Sequence, residues 1–430
     1  MKKLFFISVA TMFALASCLV SCENPATSNG NDPADPTDPV DKPTEPIKPA
    51  EPINLDGTRG AEKVAADNAF AFELFRRVVA TADDPQNAFV SPLSLTMALG
   101  MLYNGTSPEA GTEMAEALGV GDFSPEQINE YYQTMRRALL AVDPLTALSI
   151  ANSIWTREGY PVKPTFYELN REYYDAEVQN RDFDLPATVD QINQWCADNT
   201  NGKITKMLDR IPRETVMYLI NAVYFNGRWK YEFDKEKTYD EPFALAGGGT
   251  KTTPMMNQTA SLPYYEDETL QCVELPYGNG AFSMLAMLPV GSGTLDGLVA
   301  GLDAEKYNAV VSGLQEREEL AVKLPRWKQE CDFLLNDPVN NLGISRIFAE
   351  GNLTGVADDV RLVVSMIRQK TFVEVNEQGT EAAAVTIIGM ETTALPSEPV
   401  FFANRPFLYL IRERSTGAIL FLGRMDSPEV

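Results

Sequence analysis

The segment Thr371–Met390, TFVEVNEQGTEAAAVTIIGM, opens as a strand, with Phe372, Val373 and Val375 supplying its apolar side chains. It passes through Glu377-Gln378-Gly379 into Thr380-Glu381-Ala382-Ala383-Ala384, too weakly apolar for a committed core strand and too regular for an ordinary loop. Side chains along a strand alternate between two faces. On that period Thr380, Ala382, Ala384, Thr386, Ile388 and Met390 share one face, while Glu381, Ala383, Val385, Ile387, Gly389 and Glu391 share the other. Both charges fall on one face, a sorting that a permanently exposed loop does not need. The segment reads as a loop that can also become a strand with one face on a core.

Outward from it, other stretches carry a pattern. Asn87-Ala-Phe-Val-Ser-Pro-Leu-Ser94 leads into Ala98-Leu-Gly-Met-Leu-Tyr-Asn-Gly105; Asn221-Ala-Val-Tyr-Phe-Asn-Gly-Arg-Trp229 and Glu274-Leu-Pro-Tyr277 with Ser283–Pro289 lie in mid-chain; Leu324-Pro-Arg-Trp327, Leu342-Gly-Ile344 and Phe402-Ala-Asn-Arg-Pro-Phe407 come after them. Together with E-Q-G-T-E-A-A-A, these resemble the serpins, protease inhibitors whose cleaved reactive loop inserts into their own large sheet, the known case of strand addition within one chain. The matches run in family order from about residue 61 to the C-terminus.

The resemblance implies an α+β serpin fold, with three β-sheets, about eight or nine helices and an exposed reactive loop. It implies a hinge at Glu377, Gly379, Thr380, Glu381, Ala382, Ala383 and Ala384. It also implies a polar cluster below the point where sheet strands part, formed by Ser91, Ser94, Asn221 and Gln369. The family usually has a histidine where this chain has Gln369; glutamine donates and accepts as a neutral imidazole does but does not titrate. Trp229 matches a tryptophan near the top of the sheet and reads equally well as core. The implied function is irreversible suicide inhibition of serine, and also cysteine, proteases, with no enzymatic activity of the chain's own. The alternative is a non-inhibitory serpin acting as a surface binding module, although such hinges are usually charged, bulky or proline-containing.

Serpin loops commonly place the scissile bond sixteen or seventeen residues past the hinge glutamate, here Thr393-Ala394 or Ala394-Leu395, with Met390 and Leu395 as alternative positions. A small residue suits the shallow pocket of an elastase-like or subtilisin-like protease. No Lys or Arg lies between Glu377 and Arg405, so a trypsin-like pocket carboxylate would be left unpaired.

The chain has 430 residues, 44% of them hydrophobic, enough for a sizeable core. Its formal charge of -24 argues against nucleic acid, which is bound through clustered Lys and Arg. There is no histidine, which removes Ser/His/Asp and Cys/His nucleophile arrangements and the commonest zinc ligand sets. Cys196, Cys272 and Cys331 are scattered without paired spacing and read as buried free thiols; no metal or cofactor is expected. The glycines at 247–249 and 291–293 lack phosphate-loop patterns and read as turns.

Met1-Lys2-Lys3 and the apolar run Leu4–Leu15 have the form of a secretory signal peptide, too short for a membrane span. Leu15-Ala-Ser-Cys18 and Leu19-Val-Ser-Cys22 each resemble a bacterial lipobox, and Cys22 is the better lipidation site because polar Glu23-Asn24-Pro25 comes directly after it. Prolines then recur at nearly every third residue from Pro33 to Pro52, a spacing that suits polyproline II. At 3.1 Å per residue, the stretch from Glu23 to Ile53 reaches up to roughly 95 Å. The expected organisation is a lipoprotein signal at 1–21, a lipidated cysteine and spacer at 22–55 and one serpin domain at 56–430. Such a chain is a monomer lipid-anchored at the bacterial cell envelope, on the outer membrane facing the periplasm or the cell surface. Within the domain, Phe70–Val79 reads as a helix, Thr188-Val-Asp-Gln191 as a capping box before Ile192, Trp195 and Cys196, Gly202 as a helix stop, and Val216–Phe225 as a central strand covered on both faces.

Overall fold

Met217–Arg228, MYLINAVYFNGR, is buried along almost its whole length, as a strand covered on both faces must be. It lies in a six-stranded sheet whose order is Trp327–Leu334, Met366–Asn376, Gly379–Thr380, Met217–Arg228, Thr146–Arg157 and Glu177–Arg181. The computed structural model describes residues 48–81, 87–359, 361–380 and 401–430. Among them are nine α-helices and two short 3-10 turns.

The helix Pro92–Tyr103 is apolar apart from Ser94 and Thr96 and is buried from Pro92 to Leu102, as a helix in the middle of a core must be. Proline at its first turn fixes φ where no intrahelical N–H partner is needed. This helix touches Met217–Arg228 and Thr146–Arg157 of the six-stranded sheet and Ile419–Met425 of the second sheet, and so ties the two together.

The second sheet has nine strands. Eight run in the order Asn87–Val90, Ile419–Met425, Phe407–Glu413, Phe282–Pro289, Leu270–Pro276, Thr250–Glu266, Gln315–Pro325 and Phe401–Phe402, and Tyr239–Ala244 branches from Thr250–Glu266. Two of the three expected sheets are continuous through this long strand, which pairs with Leu270–Pro276 at Tyr264–Glu266 and with Gln315–Pro325 from Met255 onward. Glycines 248 and 249, both with positive φ, turn the chain between Tyr239–Ala244 and Thr250–Glu266, and Gly291 turns it after Phe282–Pro289.

The expected helix around Phe70–Val79 is the middle of Gly60–Thr81. The capping box at Thr188 is not formed. Its helix begins earlier, at Pro186, because a proline at the first position is preorganised for the turn. Thr188 instead donates its hydroxyl to the Asp182 carbonyl at 2.6 Å. The helix does stop as expected: Gly202 has φ +72 and donates its N–H back to Ala197 at 2.9 Å. A true capping box occurs at Ser124 and Gln127, where the sequence reading placed none.

Candidate functional site

The seam between Met217–Arg228 and Met366–Asn376 has a closed part and an open part. At its lower end Met366–Thr371 runs parallel to Tyr218–Val223, residue against residue. At its upper end the two strands part, and Gly379–Thr380 sits between them, antiparallel to both: Thr380 lies opposite Val375 on one side and Gly227 on the other. Between these zones lie Phe372–Glu374 on one side and Tyr224–Asn226 on the other, past the end of the parallel register and before the antiparallel one.

The hinge expected on an exposed loop is therefore buried at its start. Glu377 is 2% exposed and Thr380 0%. Glycine is required at 379 because a Cβ there would stand 2.2 Å from the Gly227 carbonyl oxygen, inside any permitted contact. Gly227 matters in turn, since its own Cβ would press on the Phe225 and Tyr277 rings at 3.0 Å.

Several groups fix this end of the chain. The Trp229 and Phe233 N–H groups donate to the Gln378 and Glu377 carbonyls at 2.9 and 2.8 Å. Trp229 Nε1 donates to the Asn376 carbonyl at 2.9 Å, and the indole stacks on Tyr277 with centroids 4.4 Å apart. The Glu377 carboxylate accepts from Thr238 Oγ1 at 2.8 Å and pairs with the Arg326 guanidinium. Burial alone would push this carboxyl up, but Arg326, Thr238 and a backbone N–H together hold it below the ordinary carboxylate range.

Below, where the seam is closed, lies a buried polar cluster. Gln369 and Asn221 are register partners, and Gln369 Nε2 donates to Asn221 Oδ1 at 2.6 Å and to the Ser91 carbonyl at 2.9 Å. Gln369 Oε1 accepts the Ser91 N–H at 2.8 Å. Asn221 Nδ2 donates to Ser94 Oγ and, at 2.5 Å, to Asn152 Oδ1. Ser91 spends its hydroxyl on the Leu420 carbonyl at 2.8 Å rather than on capping its own helix. Both hydrogen-bonding ends of the glutamine are thus in use, which satisfies the buried amide.

The structure brings Ser91, Ser94, Asn221 and Gln369 into one cluster and places Trp229 with Glu377, Gly379 and Thr380 at the other end of the seam. Glu381, Ala382, Ala383, Ala384, Met390, Thr393, Ala394 and Leu395 lie outside the described residues, as do Cys18 and Cys22. Asn152, Tyr277 and Arg326 were not singled out as site residues. Tyr277 did stand in the quoted Glu274-Leu-Pro-Tyr277 motif and Arg326 in Leu324-Pro-Arg-Trp327, so both positions were in view without their partners. Cys196, Cys272 and Cys331 are buried free thiols, and burial pushes Cys196 up to about 12 and Cys331 up to about 11, leaving them protonated at neutral pH. Among the described residues no group of three or more Cys, Asp or Glu side chains is placed to hold a metal ion.

The model of the family described as Serpin (serine protease inhibitor) matches residues 65–428. A serpin-like protein of Thermococcus kodakarensis is 31% identical over 441 residues and covers the whole of both chains. Leukocyte elastase inhibitor of Bos taurus is 33% identical, covering 85% of this chain and 99% of its own length. Among solved structures, the thermophilic serpin tengpin in its native state superposes with a TM-score of 0.79 at 30% identity, covering 89% of this chain and 97% of that one.

Proposed function

From the premise that this chain belongs to the serpin family, we propose that it is an irreversible suicide inhibitor of serine proteases. A target serine attacks the carbonyl of Thr393; the Thr393-Ala394 peptide bond breaks, the new Ala394 amine takes a proton and leaves, and an ester joins protease to loop. Water would complete hydrolysis unless the loop, with the protease attached, enters the seam first.

The observation that carries this reading is the register of Gly379–Thr380. Continued downward, it sets Ala382 between Phe225 and Val373, Ala384 between Val223 and Thr371, and Thr386 between Asn221 and Gln369. Glu381, Ala382 and Ala383 would lie between Phe372–Glu374 and Tyr224–Asn226, and from Ala384 on each residue would replace one parallel pairing. The side chains sharing the Thr380 face are then Ala382, Ala384 and Thr386, small enough to avoid the overpacking penalty of about 1 to 3 kcal/mol. Glu381 falls on the other face. A strand from Thr380 to Thr393 would be about 46 Å long.

The small residues at 393 and 394 point to an elastase-like or subtilisin-like target. Lipidation at Cys22 and the proline-rich spacer would hold the inhibitor at the cell envelope. The test is incubation with elastase, subtilisin and trypsin. An SDS-stable complex with elastase or subtilisin, releasing a peptide that begins at Ala394 or Leu395, is expected; cleavage of the loop by every protease without any stable complex would show a non-inhibitory protein.

A further inference from the structure

The hydroxyls of Tyr277 and Thr380 lie 2.7 Å apart, and both residues are 0% exposed. They approach from different sheets, Tyr277 from the end of a strand of the nine-stranded one and Thr380 from within the six-stranded one. Tyr277 comes directly after the strand Leu270–Pro276, and its position is over-determined: its N–H donates to the Phe282 carbonyl at 2.9 Å, its backbone bridges Trp229, and its ring lies between the Trp229 indole and the edge of Phe225. Thr380 is the last described residue before the loop and the first to stand in the seam with a buried side chain. A rigid phenol from one sheet therefore meets the leading side chain of a two-residue strand in the other.

We infer that Tyr277 is the positioning residue that clasps Thr380 in the inserted register, so that the first step of loop insertion is already taken in the uncut protein. Two residues of strand make too few ladder bonds to hold themselves in place. The hydroxyl pair adds a bond in a place without water, where leaving either partner single is costly. The clasp favours the hinge-in arrangement over hinge-out. It persists in the register proposed for the inserted loop, so it sets how often the seam is primed without opposing the rest of the insertion. Burial pushes the Tyr277 phenol far above its ordinary range, which keeps the hydroxyl protonated and the clasp indifferent to pH.

This inference deepens the proposed function, but its test does not need a protease. Amide hydrogen exchange of residues 376–383 is measured on the intact chain. In Tyr277→Phe the ring stack remains and the Thr380 hydroxyl loses its partner; in Thr380→Val the shape remains and the phenol is stranded. Each should speed exchange at Thr380 about tenfold, while the double variant, which loses the pair but strands neither partner, should exchange faster than wild type yet no faster than either single variant. Thr380→Ser keeps the hydroxyl and should exchange within about threefold of wild type. If Tyr277→Phe fails to fold, the Thr380→Val and Thr380→Ser pair still decides the matter. Unchanged exchange in Thr380→Val, or a double variant worse than either single one, overturns the clasp. With a protease that the wild type traps, Tyr277→Phe should also raise the number of inhibitors consumed per enzyme. A wild type that traps nothing leaves the exchange result standing and rejects only the inhibitory reading.

Discussion

The lower and upper halves of the central seam are built on different principles. Below, two parallel strands close directly on one another, and their meeting point at Asn221 and Gln369 is polar. Above, an antiparallel insert pairs on both sides and is surrounded by Trp229, Tyr277 and Phe225. Parallel pairing is slightly the weaker of the two per residue. Extending the upper arrangement downward would replace one parallel ladder with two antiparallel ones. Under the proposed insertion the sheet would be one strand short of its most stable form and held there kinetically while the loop is intact. The polar cluster would suit such an insertion, because amides and hydroxyls could exchange partners with an arriving Thr386, whereas an interlocked apolar seam would have to be unpacked.

The largest expected effect comes from letting the upper arrangement win. Cleavage within residues 381–400 should raise the unfolding temperature by about 10 °C or more, since a long strand joins the sheet. Calorimetry before and after limited proteolysis measures it, and an unchanged or lowered transition would mean that the two halves of the seam do not interconvert.

Next in size is a block at the head of the insert. Thr380→Arg puts a charge where the side chain is fully buried against Tyr277. An uncompensated buried charge costs several kcal/mol, enough to slow insertion more than about a hundredfold. Hydrolysis should then win, and the variant should be cut by elastase without forming an SDS-stable complex. Complex formed with wild-type stoichiometry would separate trapping from the seam altogether.

A smaller effect probes the closed half. Gln369→Ala leaves the Ser91 N–H and Asn221 Oδ1 without their partner in a buried place. The loss should be about 1 to 3 kcal/mol in urea denaturation of the uncut protein. After loop cleavage the penalty should shrink, because Thr386 would stand between the two strands and offer its hydroxyl. Equal penalties in both forms would mean that the cluster is ordinary core.

Much of this seam was legible beforehand, for physical reasons that differ from residue to residue. A continuous apolar run, read as Val216–Phe225, marked the strand Met217–Arg228 as central, whereas the period-two reading of the segment after Thr380 falls on residues outside the described ones. Asn221 stood out because an amide inside such a run must find a partner. Asn152 did not, since it sits among Ala151 and Ser153 in a stretch of mixed polarity, and only the strand register places it opposite Asn221. Tyr277 and Arg326 reach their partners across 103 and 51 residues of sequence, a separation on which local periodicity says nothing. The burial of Glu377 was not legible for a similar cause: nothing local in Asn376-Glu377-Gln378 announces the distant arginine that pairs with the carboxylate.

That arginine allows the finest division of the upper half, into a part that titrates and a part that does not. The Glu377 carboxyl is held below its ordinary value of 4.5 by Arg326 and Thr238, against the opposing pull of burial. A carboxyl whose value is lowered in the folded state adds stability that is complete above the unfolded value and drains away as pH falls through the folded one. The Glu377 anchor should therefore hold at neutral pH and weaken below about pH 4.5, while the Tyr277–Thr380 pair is unaffected. The change is modest, because Arg326 is 34% exposed on its side chain and the pairing is partly screened by solvent. Trp229 provides the readout: its indole bonds the Asn376 carbonyl, next in sequence to Glu377, so loosening of the anchor should alter its emission. Subtracting the Trp229→Phe profile isolates that signal from the other three tryptophans of the chain's four. In Glu377→Gln the acid-dependent step should vanish, leaving a flat profile at the loosened level. A step of the same size and midpoint in Glu377→Gln would assign the acid response to another group and leave Glu377 as a spacer in the turn.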